Sequence, residues 1–214
     1  MPDEAQARKA RSEVILSKEG VPFIAHLPVV DTLASAHFRT DSETAERAIC
    51  VMVAAVHGEA ADIKLTDKIT KEWGAASHFT PEEKRFVSQG APSQKDRIKF
   101  SWRYEDLWVL LWALGFVDDM GRPDKIVDVP KMAGLMFSTG STNFRARAKL
   151  RNRSQVLDVL DLTYRYHWAA VDARINGKSA PGGLDEGVVM ERHYALNWLT
   201  CYSDQDWDDI STDT

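Results

Sequence analysis

An all-α fold is what this sequence predicts: a compact multi-helix domain around a buried, tryptophan-rich central helix, with little or no sheet. Three observations carry it. Apolar residues recur at helical spacing through several long segments. Those segments are bracketed by residues that start and stop helices. Runs that alternate apolar with polar residues between turn signals, as half-buried strands would, are missing. The 214 residues, 44% apolar and 28% charged, are of ordinary globular composition. One core of that size needs neither metals nor disulfides, so residues 1–214 read as a single helical domain.

Residues 3–19 are rich in Ala, Arg, Lys and Glu and stop at Gly20, which suits an amphipathic helix closed by a left-handed glycine. Pro22 and Pro28 then make an irregular apolar connection to residue 39. Thr40 with Glu43 forms a capping box, and Ala45, Ala48, Ile49, Met52, Val53 and Val56 give the following helix a broad buried stripe that ends near His57 and Gly58. A weaker amphipathic helix, 60–73, ends at Gly74. Thr80, Pro81, Glu82 and Glu83 start a short one that ends before Gly90.

Ser93 is placed to cap the central helix, which runs to Leu114 and closes at Gly115. Trp102, Trp108 and Trp112, with Leu107, Leu110, Leu111 and Leu114, cover most of its circumference, so its second half must be buried nearly all round. Short helices follow at about 129–138 and 142–149. A second long helix starts after Ser154 and stops at Asn176 and Gly177. It carries Leu157, Leu160, Tyr164, His167, Trp168 and Val171 on one face and an Asp161, Arg165 pair on an adjacent one. The last helix spans 186–199. The helices at 94–114, 155–175 and 186–199 are expected to form the core, with the others around them. In the acidic tail 203–214, Trp207 is expected to dock the segment and leave the carboxylates outside.

Composition also excludes several classes of function. The net charge of −5 is spread without a basic block, so no nucleic-acid partner is expected. Neither a signal-peptide core nor an apolar run of membrane-spanning length occurs, which predicts a cytoplasmic protein with no membrane association. Cys50 and Cys201 each lack the second cysteine or nearby histidine of a metal site and read as small buried hydrophobes. Oligomeric state is left open between monomer and homodimer.

The blocks SWRYEDLWVLLWALG (101–115), LRNRSQVLDVLDLTYRYHWAAVDAR (150–174), VVMERHYALNWL (188–199) and WDDISTDT at the tail resemble a bacterial family catalogued as domain of unknown function 4272, over roughly residues 8–214. The family's pattern falls on Trp102, Arg103, Glu105, Trp112, Leu150, Arg151, Asp161, Arg165, Trp168, Glu191, Arg192, Trp198, Trp207, Asp208 and Asp213. What the resemblance implies is a bacterial cytoplasmic protein whose polar motif residues gather in one place. It implies no activity and no cofactor.

Arg103, Glu105, Asp161, Arg165, Glu191 and Arg192 stand on helices that are otherwise heavily apolar. Unpaired burial of such groups would cost several kcal/mol each, so they either pair as structural glue or converge on a cleft that binds an anion. His167, His193 and Glu191 are the candidates for acid–base catalysis. Metal-binding and phosphate-loop motifs are missing, so neither a metal nor a cofactor is expected, and STGSTN at 138–143 reads as a helix-to-helix turn. The preferred function is a non-enzymatic binding or regulatory module. It would engage a protein partner or a small anionic ligand through the Arg/carboxylate cluster. The alternative is a hydrolase of small anionic substrates with a histidine general base.

Overall fold

A computed structural model describes residues 3–214, and among them there are nine α-helices and no strand. They are α1 (Glu4–Glu19), α2 (Asp41–Ala60), α3 (Ile63–Trp73), α4 (Pro81–Val87), α5 (Gln94–Ala113), α6 (Val129–Thr139), α7 (Ser141–Arg147), α8 (Arg153–Ile175) and α9 (Glu186–Leu199). No helix among the described residues is long and apolar enough to cross a membrane.

Local chemistry sets most of the boundaries. Both Thr40 and Thr80 form complete capping boxes, with Glu43 and Glu83 respectively. Ser93 accepts from the Asp96 amide at the start of α5. α8 starts at Arg153, before the Ser154 expected from sequence, because the Asn152 side chain accepts from the Ser154 amide and takes the cap itself.

The buried stripe of α2 ends at His57 and Gly58, as expected, although the helix itself is longer. It runs on to Ala60 and closes on Ala61 in the left-handed conformation, φ 48°. Gly58 serves a different purpose, close approach to α5. A Cβ there would lie 2.9 Å from both the Arg97 carbonyl and the Ser101 amide. Arg97 reciprocates by donating from Nε to the Gly58 carbonyl (3.1 Å) and from Nη2 to that of Glu59 (2.8 Å), which satisfies carbonyls at the end of α2.

The centre of the fold therefore differs from the expected trio. α2, whose residues Ala48 to Ala55 are all at most 2% exposed, is the most extensive partner of α5. α9 packs against both α5 and α8, and α1 lies along α8 through the thin stripe Ala5, Arg8, Ser12 and Leu16. Small side chains explain α2's position: with alanines and one glycine on its faces, its backbone can lie close to neighbours on several sides. As expected, Leu107 and Val109 to Leu114 on α5 are buried.

The tail is docked by Trp207, which is 3% exposed and meets Tyr194 and Trp198 edge-on at ring-centroid distances of 5.3 Å each. The guanidinium groups of Arg47 and Arg103 lie over the same indole at 5.0 and 5.7 Å. Not every tail carboxylate is left outside. Asp208 accepts from the Glu82 amide at 3.0 Å and so serves the first turn of α4.

Candidate functional site

The six charged residues singled out in the sequence do not gather in one place. They separate into three buried sets. Arg165 gives Nε and Nη2 to the two oxygens of Asp161 (2.9 and 2.8 Å), and both side chains are fully buried. Arg103 donates from Nη1 to Glu191 and to Asp106, at 3.0 Å each, with Tyr194 stacked 4.2 Å from its guanidinium. Arg192 donates from Nε to Glu105 at 3.3 Å and from Nη1 to the Gly121 carbonyl at 2.9 Å. Glu105 also accepts from the Val127 amide at 2.5 Å. Glu191, Arg192 and His193 are consecutive, so about 100° of helix rotation sends each to a different neighbour. Adjacency in sequence made them look like one cluster, and the helix disperses them.

Asp106 is the member the sequence reading missed, although its position three residues after Arg103 is a helical pairing distance. Two carboxylates share one guanidinium here. Burial, then the neighbouring charge of Glu191, pushes Asp106 well above the usual carboxylate range, against the pull of Arg103. The set is electrically balanced when Asp106 holds a proton. A second missed pair, Arg47 with Glu83, joins α2 to α4 beneath Trp207.

His167 and His193 face one another across the α8–α9 contact, Nδ1 to Nδ1 at 3.0 Å, and are 5% and 2% exposed. Two imidazolium ions cannot share that geometry, so one neutral ring donates and the other accepts. Burial holds His167 down at about 4. Burial and the neighbouring His167 hold His193 at about 3. Neither histidine meets Asp161 or Glu191 to form a metal cage, and the described residues contain no group of three or more His, Cys, Asp or Glu side chains that could hold an ion.

A cavity of about 540 Å³ opens between α8, α9, the proline-containing connection and the tail. Its apolar wall is Leu27, Pro28, Val29, Val30, Leu157 and Leu160; its polar residues are Tyr164, His193, Asn197, Thr200, Tyr202, Asp31, Asp213 and Thr214. None of the described residues that line it is an arginine or lysine. Of the predicted site residues only His193 reaches it. Asp161 and Arg165 act one step behind the wall, because Arg165 Nη2 also donates to the Pro28 carbonyl at 3.2 Å. Asn197 is held by donating to the Ser211 carbonyl at 2.9 Å, which ties α9 to the tail. Asn197 and Thr200 were invisible as site residues in the sequence because their significance rests on where residues 27–31 and 211–214 return.

The cysteines differ from one another. Cys50 is fully buried, and burial pushes its thiol up to about 12. Cys201, expected to be buried, is only half-buried, because it sits just past α9 in the left-handed conformation, φ 51°. STGSTN is the α6–α7 turn, with Gly140 at φ 70°.

The arrangement defines an all-α protein with internally neutralised buried charges and one large, mainly apolar cavity. The chain belongs to the family described as Domain of unknown function (DUF4272), whose model matches residues 8–210. No curated protein and no solved structure matches it.

Proposed function

We propose that this protein is a non-enzymatic binding module whose ligand occupies the cavity between α8, α9 and the proline-containing connection. The observation that carries this reading is the lining: an apolar wall, convergent hydroxyl, amide and imidazole groups, and no arginine or lysine among them. A cavity of about 540 Å³ falls in the range that encloses a small organic molecule. With Asp31 and Asp213 as the charged side chains among the described residues that line it, it favours an apolar body that ends in a hydrogen-bonding or positively charged group. The sequence reading placed an anion on the buried arginine cluster, but those arginines already have carboxylate partners. In this proposal they hold helices in register.

The hydrolase alternative keeps one supporting observation, His193 at the cavity wall. Against it stand a basicity held near about 3 and an Nδ1 occupied by His167. A general base works best with a pKa near the operating pH. A bacterial cytoplasmic setting belongs to the same proposal, supported by family membership and by two cysteines present as free thiols.

The test is thermal unfolding against matched panels of apolar amines, neutral amides and carboxylates, for wild type and Leu160→Trp, which fills the cavity. Amines or amides should raise the wild-type melting temperature and leave the variant unmoved. Stabilisation by carboxylates alone, or equal response of the variant, would overturn the assignment. Turnover of ester analogues that is abolished by His193→Gln would favour the hydrolase.

A further inference from the structure

A second cavity, about 390 Å³, lies at the N-terminal end of α8 and is lined by Phe38, Arg39, Thr40, Asp41, Leu150, Arg151, Arg153 and Val156. Its electrostatics are opposite to those of the larger one. Three arginines line it, and among the described residues none of the three pairs with a carboxylate, whereas the six arginines at positions 8, 47, 103, 145, 165 and 192 all do. Asp41 is the single acid on the lining, and one of its oxygens already accepts from the Leu150 amide at 3.0 Å.

Two of the three guanidinium groups are held in place without being neutralised. Arg39 donates from Nε to the Trp198 carbonyl (3.3 Å) and from Nη2 to that of Gln205 (2.9 Å), and its guanidinium lies 5.0 Å from the Trp198 ring. Arg151 donates from Nε to the Trp112 carbonyl at 2.5 Å and from Nη2 to those of Val117 and Asp118, with its guanidinium 5.2 Å from the Trp112 ring. The Arg153 side chain makes no hydrogen bond among the described residues, and its guanidinium rests 5.1 Å from the Phe38 ring. Carbonyls and aromatic faces fix orientation but leave the positive charge in place. Planar donors already oriented in this way, as those of Arg39 and Arg151 are, lose little freedom on meeting an anion. The starts of α2 and α8 both lie at this cavity, but Thr40 and Asn152 already cap them, so the arginines carry the argument.

We propose that this cavity is an anion site for the phosphate group of a small phosphorylated molecule, with Arg153 swinging from Phe38 to close on it and Arg39 and Arg151 as the fixed side. The site is separate from the cavity assigned above and does not rest on that assignment. A phosphate offers three acceptor oxygens to forked donors, and the volume leaves room for a small organic group over Phe38 and Val156.

Isothermal titration with inorganic phosphate and pyrophosphate, against sodium chloride at matched ionic strength, reads the site directly. Arg153→Gln removes the one of these three arginines whose side chain makes no hydrogen bond among the described residues, so its fold is expected to persist, as circular dichroism would verify. A lost charge-assisted hydrogen bond should weaken phosphate binding roughly ten- to a hundredfold. Arg174→Gln, a surface control on the far end of α8, should bind as wild type does, and so should Leu160→Trp. Absence of saturable phosphate or pyrophosphate binding, or equal affinity in Arg153→Gln and wild type, would overturn the proposal. So would binding seen only with an oligonucleotide or a phosphopeptide, since the recognised group would then be a polymer surface.

Discussion

The Nδ1 atoms of His167 and His193 stand 3.0 Å apart in the α8–α9 contact, where both rings are almost wholly excluded from solvent. One proton is shared at that contact, and a second cannot be accommodated. His167 also faces the positive charge of Arg174, which opposes protonation further.

Stability should therefore fall on acidification. Both histidines are held below their ordinary value of 6.5, at about 4 and about 3, so below pH 6.5 the unfolded chain binds more protons than the native one. The stabilisation is fully present above the unfolded value and is lost as pH drops toward the folded values. Each histidine contributes a slope of about 1.4 kcal/mol per pH unit in that window. Urea unfolding at pH 7.5, 6.5 and 5.5, compared with a His167→Gln, His193→Gln double variant, checks this. An equally steep slope in the variant would refute it.

Gly58→Ala should destabilise by about 1–3 kcal/mol, as overpacking does, because its methyl group meets backbone atoms of α5 that cannot swing aside. The same change at Gly90, where an added Cβ meets nothing within 4 Å, should have little effect. Chemical denaturation of both variants makes the comparison.

Asp106 and Arg103 should respond very differently to substitution. Arg103→Met strands the carboxylates of Asp106 and Glu191 in the core and should cost about 3–5 kcal/mol, as breaking a buried pair does. Asp106→Asn replaces a carboxyl whose charged form is disfavoured by burial with a neutral group of the same shape and should stay within about 1 kcal/mol of wild type. A cost for Asp106→Asn as large as that for Arg103→Met would mean that Asp106 is ionised in the native state.

Trp207→Ala should cost about 3–5 kcal/mol, typical of a large aromatic lost from a core. Its ring is the common contact of Tyr194, Trp198, Arg47 and Arg103. Because the tail also supplies Asp213 to the large cavity, the variant should lose the response to amines and amides proposed above. Unfolding with and without those compounds separates the two effects.

Much of the fold was legible in the chain. Helix starts at Thr40, Thr80 and Ser93 and the stop at Gly20 depend on bonds that span only a few residues, so sequence carries them complete. The Asp161–Arg165 pair was legible for the same reason, and Trp207 because one large ring in an acidic tail has few other uses. The buried stripe of α2 ends at His57 and Gly58 as read from sequence, but that Gly58 admits a neighbouring helix shows only once that neighbour is known.

The sequence by itself determined the helices, their caps and the need to neutralise buried charge, since all three follow from local geometry and the cost of desolvation. Only the tertiary structure decided which acid each arginine meets, that His167 finds His193 and, among the described residues, that the large cavity is lined by no arginine or lysine and that the smaller one has three arginines without carboxylate partners. Those outcomes depend on how residues far apart in the chain are brought side by side. Rotation and register between packed helices set that placement, and no short-range pattern encodes it.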